Sequence, residues 1–387
     1  MIRRQPLPSI LAAFLALLAV SDITSAQELY RNQMAGGGGW TIRTTTDTSI
    51  KIPYEYSADD IPEAPNSRVG DVATTGFKLE ANISAGASSF MTLSPAGQNF
   101  TGNYQLRFDA WMNYDADQRI NRGSYGTTKF IGGGVGYDGV TTDVASGAQV
   151  VATGDGGSIS DWRAFKSPPQ FFVPADNMSA GDRNGANSYY SDFLPGVVPP
   201  AGQAQIDFPP GTAGSPGFQW ITFEFTAINN VVHVSIERPD GERLKIVDID
   251  CNDTSDMSSG CSTDGNVSLF YADFFAYVSP RPDLTFGLID NVEVSEVAIE
   301  LPGDYNENDI VDTADFVLWR KNPDAFGGDP GGYVTWRANF GHTAAAGSAI
   351  ADRLSQSVPE PAAAALAALA LLPLLLRPGR LLVDCRC

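Results

Sequence analysis

The chain has 387 residues, which at roughly 100–200 residues per domain indicates two folded units plus terminal signals and excludes a single small module. Its 25 Lys and Arg against 45 Asp and Glu give a net charge of −20, so the chain repels phosphate backbones and we expect no nucleic acid partner. Charged residues make up only 18% of the chain and glycine contributes 39 residues, a balance that favours an all-β, turn-rich fold over disorder.

The first 26 residues have the order of a secretory signal peptide. A basic start, Met1–Arg4, precedes the apolar run Ile10–Val20, and the small residues Thr24–Ala26 follow. This apolar run is too short for a helix that crosses a hydrocarbon core of ~30 Å, so a retained membrane helix is the weaker alternative. We therefore expect export, with cleavage after Ala26.

The other end carries the tripeptide Pro359-Glu360-Pro361, the apolar run Ala362–Leu376 and then several arginines. The run is shorter than the ~17–25 residues of a spanning helix. The order of parts nevertheless closely resembles the PEP-CTERM sorting signal of Gram-negative bacteria. The resemblance implies that residues 358–387 hold the exported chain in the inner membrane by an apolar helix until an exosortase-type enzyme cuts near the tripeptide. Release to the cell surface or extracellular matrix would follow.

Arginines beyond the apolar run place the bulk of the chain outside the membrane by the positive-inside rule. The tail after Arg380 is longer than the sorting signal requires, which leaves Cys385 and Cys387 without a role.

The body of the chain contains only Cys251 and Cys261, an isolated pair of the kind that oxidises to a disulfide outside the cytoplasm. We predict a disulfide rather than a metal site, because no His or further Cys lies near in sequence.

Alternation with a period of two dominates residues 27–300. In Asn103–Tyr114 the apolar side chains fall on one face, which predicts a half-buried strand. The segments Ile221–Ala227 and Val232–Ile236 alternate in the same way around a turn at Asn229–Asn230. A phase slip at Val247 predicts a β-bulge in the strand that follows.

Short strands and long Gly/Pro/Ser-rich connections favour a double-sheet jelly roll over a barrel or a propeller. The stretches Gly102–Asn113, Asp161–Phe165, Ser188–Gly196 and Phe286–Val292 resemble the concanavalin A-like lectin and glucanase jelly rolls, in particular those that precede PEP-CTERM signals. The resemblance implies a sugar-binding or cell-surface scaffold and does not imply a catalysed reaction.

A retaining jelly-roll glucanase needs two carboxylates about 5–5.5 Å apart. The sequence lacks the family patterns Glu-x-Asp-x-Glu and Glu-x-Asp-x-x-Glu, and the two histidines, His233 and His342, are too far apart in sequence to indicate a catalytic triad. The nearest acidic sets, which we interpret as turn or solvent-face carboxylates, are Asp109/Asp115/Asp117, Glu237/Asp240/Glu242 and Asp248/Asp250. A glycan hydrolase or lyase with an unrecognised carboxylate pair stays open as an alternative, as does a structural matrix protein.

Aromatic side chains outside the apolar faces are candidates for a sugar platform, because rings stack on the apolar faces of sugars. The candidates are Trp111, Trp162, Tyr189 and Tyr190, with core or edge packing as the competing interpretation. Asp138, Asp155 and Asp161 lie in Gly-rich loops, where Ca²⁺ ligation competes with the stronger expectation of Asx turns.

Residues 301–345 have a different sequence pattern from the strand-rich region before them. Oxygen ligands occupy positions 1, 3, 5, 7, 9 and 12 of one loop: Asp304, Asn306, Asn308, the Ile310 carbonyl, Asp312 and Asp315. This is the ligand order of an EF-hand-type Ca²⁺ loop, and it leads into a predicted helix over Thr313–Lys321. The loop resembles that of a dockerin type I module, although Asp309 stands where an EF-hand has glycine. An Asp/Asn-rich linker without metal is the alternative.

The stretch Phe316–Asn322 is echoed by Tyr333–Asn339, but the second repeat lacks spaced ligands, so we expect a two-helix spacer with Trp319 and Trp336 packed together. Residues 346–357 form a polar linker. The sequence thus predicts a mainly β protein with five parts: a signal peptide (1–26), a jelly roll (27–300), a dockerin-like calcium module (301–345), the linker, and the sorting signal (358–387). Its expected function is non-catalytic carbohydrate binding, or association with exopolysaccharide, at the envelope.

Overall fold

The computed structural model describes residues 27–117, 128–144, 146–156, 158–167, 171–206, 213–255, 260–297, 301–306, 308 and 310–343. The predicted signal peptide, the linker and the sorting segment with Pro359, Glu360 and Pro361 lie outside the described residues, as do Cys385 and Cys387. Within the described ranges no helix is long and apolar enough to cross a membrane. The chain divides into two compact units, Met1–Ala298 and Ile299–Cys387.

The first unit is built almost entirely from strands. In chain order they are β1 (Glu28–Asn32), β2 (Trp40–Thr44), β3 (Thr48–Glu55), β4 (Thr75–Ala81), β5 (Ser89–Pro95), β6 (Tyr104–Asn113), β7 (Lys129–Tyr137), β8 (Gly147–Thr153), β9 (Trp162–Ser167), β10 (Phe171–Phe172), β11 (Trp220–Ile228), β12 (Val231–Glu237), β13 (Arg243–Asp250), β14 (Asn266–Asp273) and β15 (Phe286–Glu296). Helical segments that are described in full include the short helix α1 (Ser188–Ser191) and the 3₁₀ turns Tyr56–Asp59, Ala175–Asn177, Ala201–Gln203 and Pro282–Leu284.

The strands form two antiparallel sheets. The first sheet has the order β13-β12-β11-β6-β15-β4-β3, with β1 also paired to β15, and the second has the order β10-β9-β8-β7-β14-β5-β2. Apolar side chains from both sheets meet in one core, where Trp162 of β9 lies 6.4 Å from Phe223 of β11 between ring centroids. The prediction of a mainly β, two-sheet sandwich is therefore confirmed, and its arrangement is consistent with a jelly roll.

Local sequence explains the β11–β13 meander. The two-residue turn at Asn229 and Asn230 has positive φ at both positions, which asparagine tolerates better than most residues and which suits a tight hairpin. The predicted bulge is confirmed next to Val247: the register shifts between Val234 and Ser235, and Ile246 and Val247 are both buried. The predicted disulfide Cys251–Cys261 is also confirmed, at the end of this meander.

A second apolar cluster lies on the outer face of the first sheet. It contains Trp111, Trp220, Phe286 and Leu288 from the strands, and Tyr56, Ile61 and Ala64 from the segment 56–74, which connects β3 to β4. The indole N–H of Trp220 donates to the Pro62 carbonyl at 2.8 Å. The segment 56–74 therefore covers part of the face that strand periodicity alone assigns to solvent.

The second unit contains α2 (Thr313–Lys321), a 3₁₀ turn (Pro323–Phe326) and α3 (Gly331–Asn339). The bounds of α2 match the predicted helix. Phe316 and Tyr333 lie between the two tryptophans: Phe316 is 5.7 Å from Trp319 and 4.9 Å from Trp336, and Tyr333 is 5.4 and 5.8 Å from them, between ring centroids. The helix pair is thus held by a cluster of aromatic rings. A β-bridge joins Ile310 to Thr343.

Candidate functional site

The predicted calcium loop is organised around Asp315. This side chain is fully buried, and its Oδ1 accepts hydrogen bonds from the backbone N–H groups of Tyr305 at 2.8 Å and Asn306 at 3.0 Å. Its Oδ2 accepts the N–H of Asp312 at 2.7 Å. The last oxygen residue of the motif therefore lies inside the turn formed by the first ones.

The other predicted ligands are brought together only in part. Asp304 and Asn306 both direct Oδ1 to the N–H of Asn308, at 3.2 and 3.1 Å, so positions 1 and 3 converge with position 12. The Asn308 side chain accepts the N–H of Ile310 at 3.1 Å, and Asp312 caps α2 by accepting the Ala314 N–H at 2.6 Å.

These oxygen donors are of the type that Ca²⁺ prefers, and Asp304, Asn306 and Asp315 already surround one turn, so the residues fit the ion chemically. Among the described residues, however, no three His, Cys, Asp or Glu side chains are grouped closely enough to hold a metal ion. Calcium binding by this loop stays a prediction.

Three of the four predicted sugar-stacking rings are interior, which corrects the prediction that they form an exposed platform. Trp111 is 3% exposed under the segment 56–74, and Trp162 opens β9 with its indole donating to the Gly214 carbonyl at 2.9 Å. Tyr190 is buried in α1 and stacks on Trp162. Tyr189 is partly exposed, with its hydroxyl donating to the Lys245 carbonyl at 2.8 Å. These rings are engaged by the fold: Trp162 and Tyr190 belong to the main core, and the segment 56–74 covers Trp111.

Most of the acidic side chains singled out in the sequence hold turns or pair with cations. Glu237 contacts Arg107 and Arg243, Asp240 and Glu242 contact Arg238, and Asp248 contacts His233 and Lys245. Asp138 accepts the N–H groups of Val140 and Thr141, and Asp161 accepts those of Ser158 and Gly185. The Asx-turn interpretation is confirmed for Asp138, whereas Asp161 is buried and joins two loop segments.

Asp109 differs in its surroundings from these acidic residues, because it lies directly opposite Asp290 in the pair of strands β6 and β15. Both carboxylates are buried, at 0% and 2% exposure. Asp109 accepts four hydrogen bonds, from the backbone and side chain of Asn66, from Thr222 and from Asn291, at 2.6 to 3.0 Å. The two carboxylates thus fasten the segment 56–74 to the sheet.

The pKa values of this carboxylate pair differ from those of exposed aspartates. Burial, with a contribution from the Asp109 charge, raises the pKa of Asp290 to about 8, while Tyr56 and the Asn291 N–H partly oppose the rise. Burial also raises the pKa of Asp109, against its four donors. Local sequence gave no signal for this pair, because the two residues are far apart in the chain. The interpretation of Asp109 and Asp115 as turn or solvent-face carboxylates is wrong, since both side chains are buried.

An exposed aromatic surface lies on the outer face of the second sheet, at the edge formed by β9 and β10. We call it the Arg/Phe patch; it comprises Arg163, Phe172, Arg183 and Phe275, supported by Phe130, Phe165 and Phe274. The ring of Phe172 is 38% exposed and that of Phe275 is 57% exposed.

The rings and guanidinium groups of this patch are in contact. The Arg183 guanidinium carbon lies 3.6 Å from the centroid of Phe172, and that of Arg163 lies 4.4 Å from Phe130 and 5.1 Å from Phe275. Cation–π contacts of this kind hold planar donors against ring faces. Sequence analysis missed the patch, because strands and loops far apart in the chain contribute its residues.

No protein-family model matches the chain, and no curated protein matches it. Among solved structures, the Ca²⁺-bound exoplasmic/lumenal domain of VIP36 is similar at a TM-score of 0.37, with 8% identity over 71% of this chain and 91% of that chain. Peanut lectin in complex with a peptide is similar at 0.32, with 8% identity over 69% and 96%.

A glycosyl hydrolase family 16 protein from Mycobacterium smegmatis is similar at 0.34, with 9% identity over 69% of this chain and 99% of that chain. Likenesses at these scores and identities assign neither a ligand nor a reaction to this chain. Its candidate sites therefore depend on its own geometry.

Proposed function

We propose that this chain is an exported protein, anchored at the bacterial envelope by its C-terminal segment, whose β-sandwich binds carbohydrate. Export and anchoring are supported by the signal-like run Ile10–Val20 and by the Pro359–Pro361 tripeptide with its apolar run and arginines. The disulfide Cys251–Cys261 is of a type that persists outside the cytoplasm.

The Arg/Phe patch is the observation that carries carbohydrate binding. Sugar recognition combines an exposed aromatic face, on which the C–H groups of the sugar ring stack, with planar hydrogen-bond donors that meet its hydroxyl groups. Phe275 supplies an exposed ring, Phe172 holds the Arg183 guanidinium against its own ring, and the guanidinium groups of Arg163 and Arg183 supply the donors. This surface takes the place of the platform that the sequence assigned to Trp111, Trp162 and Tyr190.

The smaller unit fits a compact spacer between the sandwich and the membrane segment. Its aromatic cluster supplies a core for two short helices, and the loop Asp304–Asp315 offers oxygen ligands that would staple the first helix to the preceding turn through one Ca²⁺. The resemblance to a dockerin supports this role, whereas the single ligand loop argues against docking to a cohesin.

A glycan-binding array with the full exported chain tests the proposal. Binding without release of reducing ends supports a carbohydrate-binding protein, and release of reducing ends favours the hydrolase alternative. Binding should fall in Phe172→Ala and Phe275→Ala and should persist in Val69→Ala, which trims a fully exposed apolar side chain in the segment 56–74. An array on which the folded chain captures no glycan would refute the proposal and leave the matrix-protein alternative.

A further inference from the structure

Among the described residues, no carboxylate lies within 4.0 Å of the side-chain nitrogens of Arg163 or Arg183. Most other described arginines of this unit do form ion pairs with carboxylates: Arg31, Arg68, Arg107, Arg238, Arg243 and Arg281. Arg43, which donates to the Gly139 carbonyl, does not. In a chain with a net charge of −20, two guanidinium groups without an ion pair on one surface form a local concentration of positive charge.

The existing hydrogen bonds use only part of the donor capacity of these groups. Arg163 donates through Nε to the Ser160 carbonyl at 3.0 Å, and Arg183 donates through one terminal nitrogen to the Val173 carbonyl. The Nε of Arg183 is buried and has no hydrogen-bond partner among the described residues. Each guanidinium carries five N–H donors, and the terminal N–H groups that these hydrogen bonds leave unused are the ones that a ligand can meet.

The charges of the two arginines also act on each other. Burial lowers the pKa of Arg163 to about 10, with the attraction of Asp161 opposing it and the positive charge of Arg183 adding to it. Both groups stay cationic at neutral pH, so their mutual repulsion is relieved by an anion placed between or beside them. Their contacts with Phe130 and Phe172 orient the two guanidinium groups. A carboxylate in the plane of either group can accept two of its N–H groups.

We infer that the Arg/Phe patch selects acidic glycans, with uronate carboxylates paired to Arg163 and Arg183 and a sugar face stacked on Phe275. This inference rests on the proposed carbohydrate-binding function and adds the chemical class of the sugar. Neutral glycans offer the rings but leave the guanidinium groups unpaired, so they bind more weakly. Sulfated glycans share the negative charge, and sulfate oxygens also accept paired N–H groups from a guanidinium, so the comparison with them tests the assignment to carboxylates.

The experiment compares three polymers by isothermal titration against the full exported chain: polygalacturonate oligomers, the same oligomers methyl-esterified, and sulfated galactan oligomers. We expect polygalacturonate to bind about tenfold more tightly than its methyl ester, because esterification removes the charge and leaves the ring faces intact. Arg163→Gln and Arg183→Gln should each weaken polygalacturonate binding about tenfold and barely change binding of the ester. Arg281→Gln, which removes an exposed arginine paired with Asp283, serves as the matched control.

The outcomes separate this inference from the function on which it rests. Equal binding of the acid and the ester, unchanged in the arginine variants, refutes selection of acidic glycans and leaves carbohydrate binding in place. Failure of all three polymers and of the glycan array refutes both. Tighter binding of the sulfated oligomers, lost in the arginine variants, overturns the assignment to carboxylates. Arg183 lies in a loop, so Arg183→Gln tests the inference even if Arg163→Gln does not fold.

Discussion

Raising the pH from 6 to 9 should destabilise the β-sandwich through Asp290. This carboxyl lies in the β6–β15 pair beside Asp109, accepts the Tyr56 hydroxyl at 2.9 Å and the Asn291 N–H at 2.7 Å, and is covered by the segment 56–74. The charged groups that act on it are Asp109 from the sheet and Glu63 from the covering segment, and both raise its pKa. Its neutral form is therefore the form that the fold favours.

The direction of the effect follows from the protonation of Asp290 in the folded and unfolded states. In the unfolded chain Asp290 loses its proton near its usual pKa of 3.8, whereas in the folded chain it keeps the proton up to a pKa of about 8. Between these values the folded state binds the extra proton, so the contribution of Asp290 to the free energy of unfolding is fully present below pH 4, falls as the pH rises, and levels off above about 8. At about 1.4 kcal/mol per unit, the fall between pH 6 and 9 is about 2–3 kcal/mol, an upper limit that local relaxation reduces.

Urea unfolding of the full exported chain, followed by far-ultraviolet circular dichroism at pH 6, 7, 8 and 9, measures this effect. Asp290→Asn is the matched variant, because its amide has the shape of the protonated carboxyl and cannot ionise. The wild type should lose stability over this range, and Asp290→Asn should lose markedly less. If the variant and the wild type show the same slope with pH, Asp290 is not the titrating group and the argument from burial is wrong.

Three further predictions concern other parts of the chain. Asp304→Ala should abolish Ca²⁺ uptake in calorimetry with little change in metal-free stability. Asp315→Ala should also destabilise the smaller unit without metal, because three N–H groups lose their acceptor. If millimolar Ca²⁺ produces no heat with the wild type, the site is refuted. Replacing Pro359–Pro361 by alanines should leave export intact and trap uncleaved protein in the inner membrane, and normal release in fractionation would contradict this. Serine at Cys251 and Cys261 should lower the free energy of unfolding by up to about 3 kcal/mol in urea titrations, while an unchanged midpoint would show that the link does not stabilise the fold.

The parts of the fold that depend on nearby residues could be predicted from sequence. The helix Thr313–Lys321 was predictable because Asp312 caps its first turn and Asp315 accepts the backbone N–H of Asp312, a pattern contained in four residues. The hairpin at Asn229–Asn230 and the bulge near Val247 were predictable for the same reason.

Coverage of a sheet by a distant segment could not be predicted in this way. Trp111 follows the alternation of β6 and points away from the inter-sheet core, as the sequence indicated, yet the segment 56–74 lies over it. The Asp109–Asp290 pair and the Arg/Phe patch likewise join residues that are far apart in the chain. Period-two patterns identify the two faces of a strand, but they contain no information about which loop returns to cover one of them.

The bridge between Ile310 and Thr343 decides how a mechanical load would enter the smaller unit. The Val311 N–H donates to the His342 carbonyl at 2.9 Å, and the Gly341 N–H donates to the Val311 carbonyl at 2.8 Å, so the outgoing chain is tied to the second half of the loop that begins at Asp304. Tension applied beyond Thr343 therefore reaches these hydrogen bonds before it reaches the aromatic cluster. A cation that tightens the loop would raise the force at which the unit opens, and an envelope tether built this way would be stiffer where calcium is abundant.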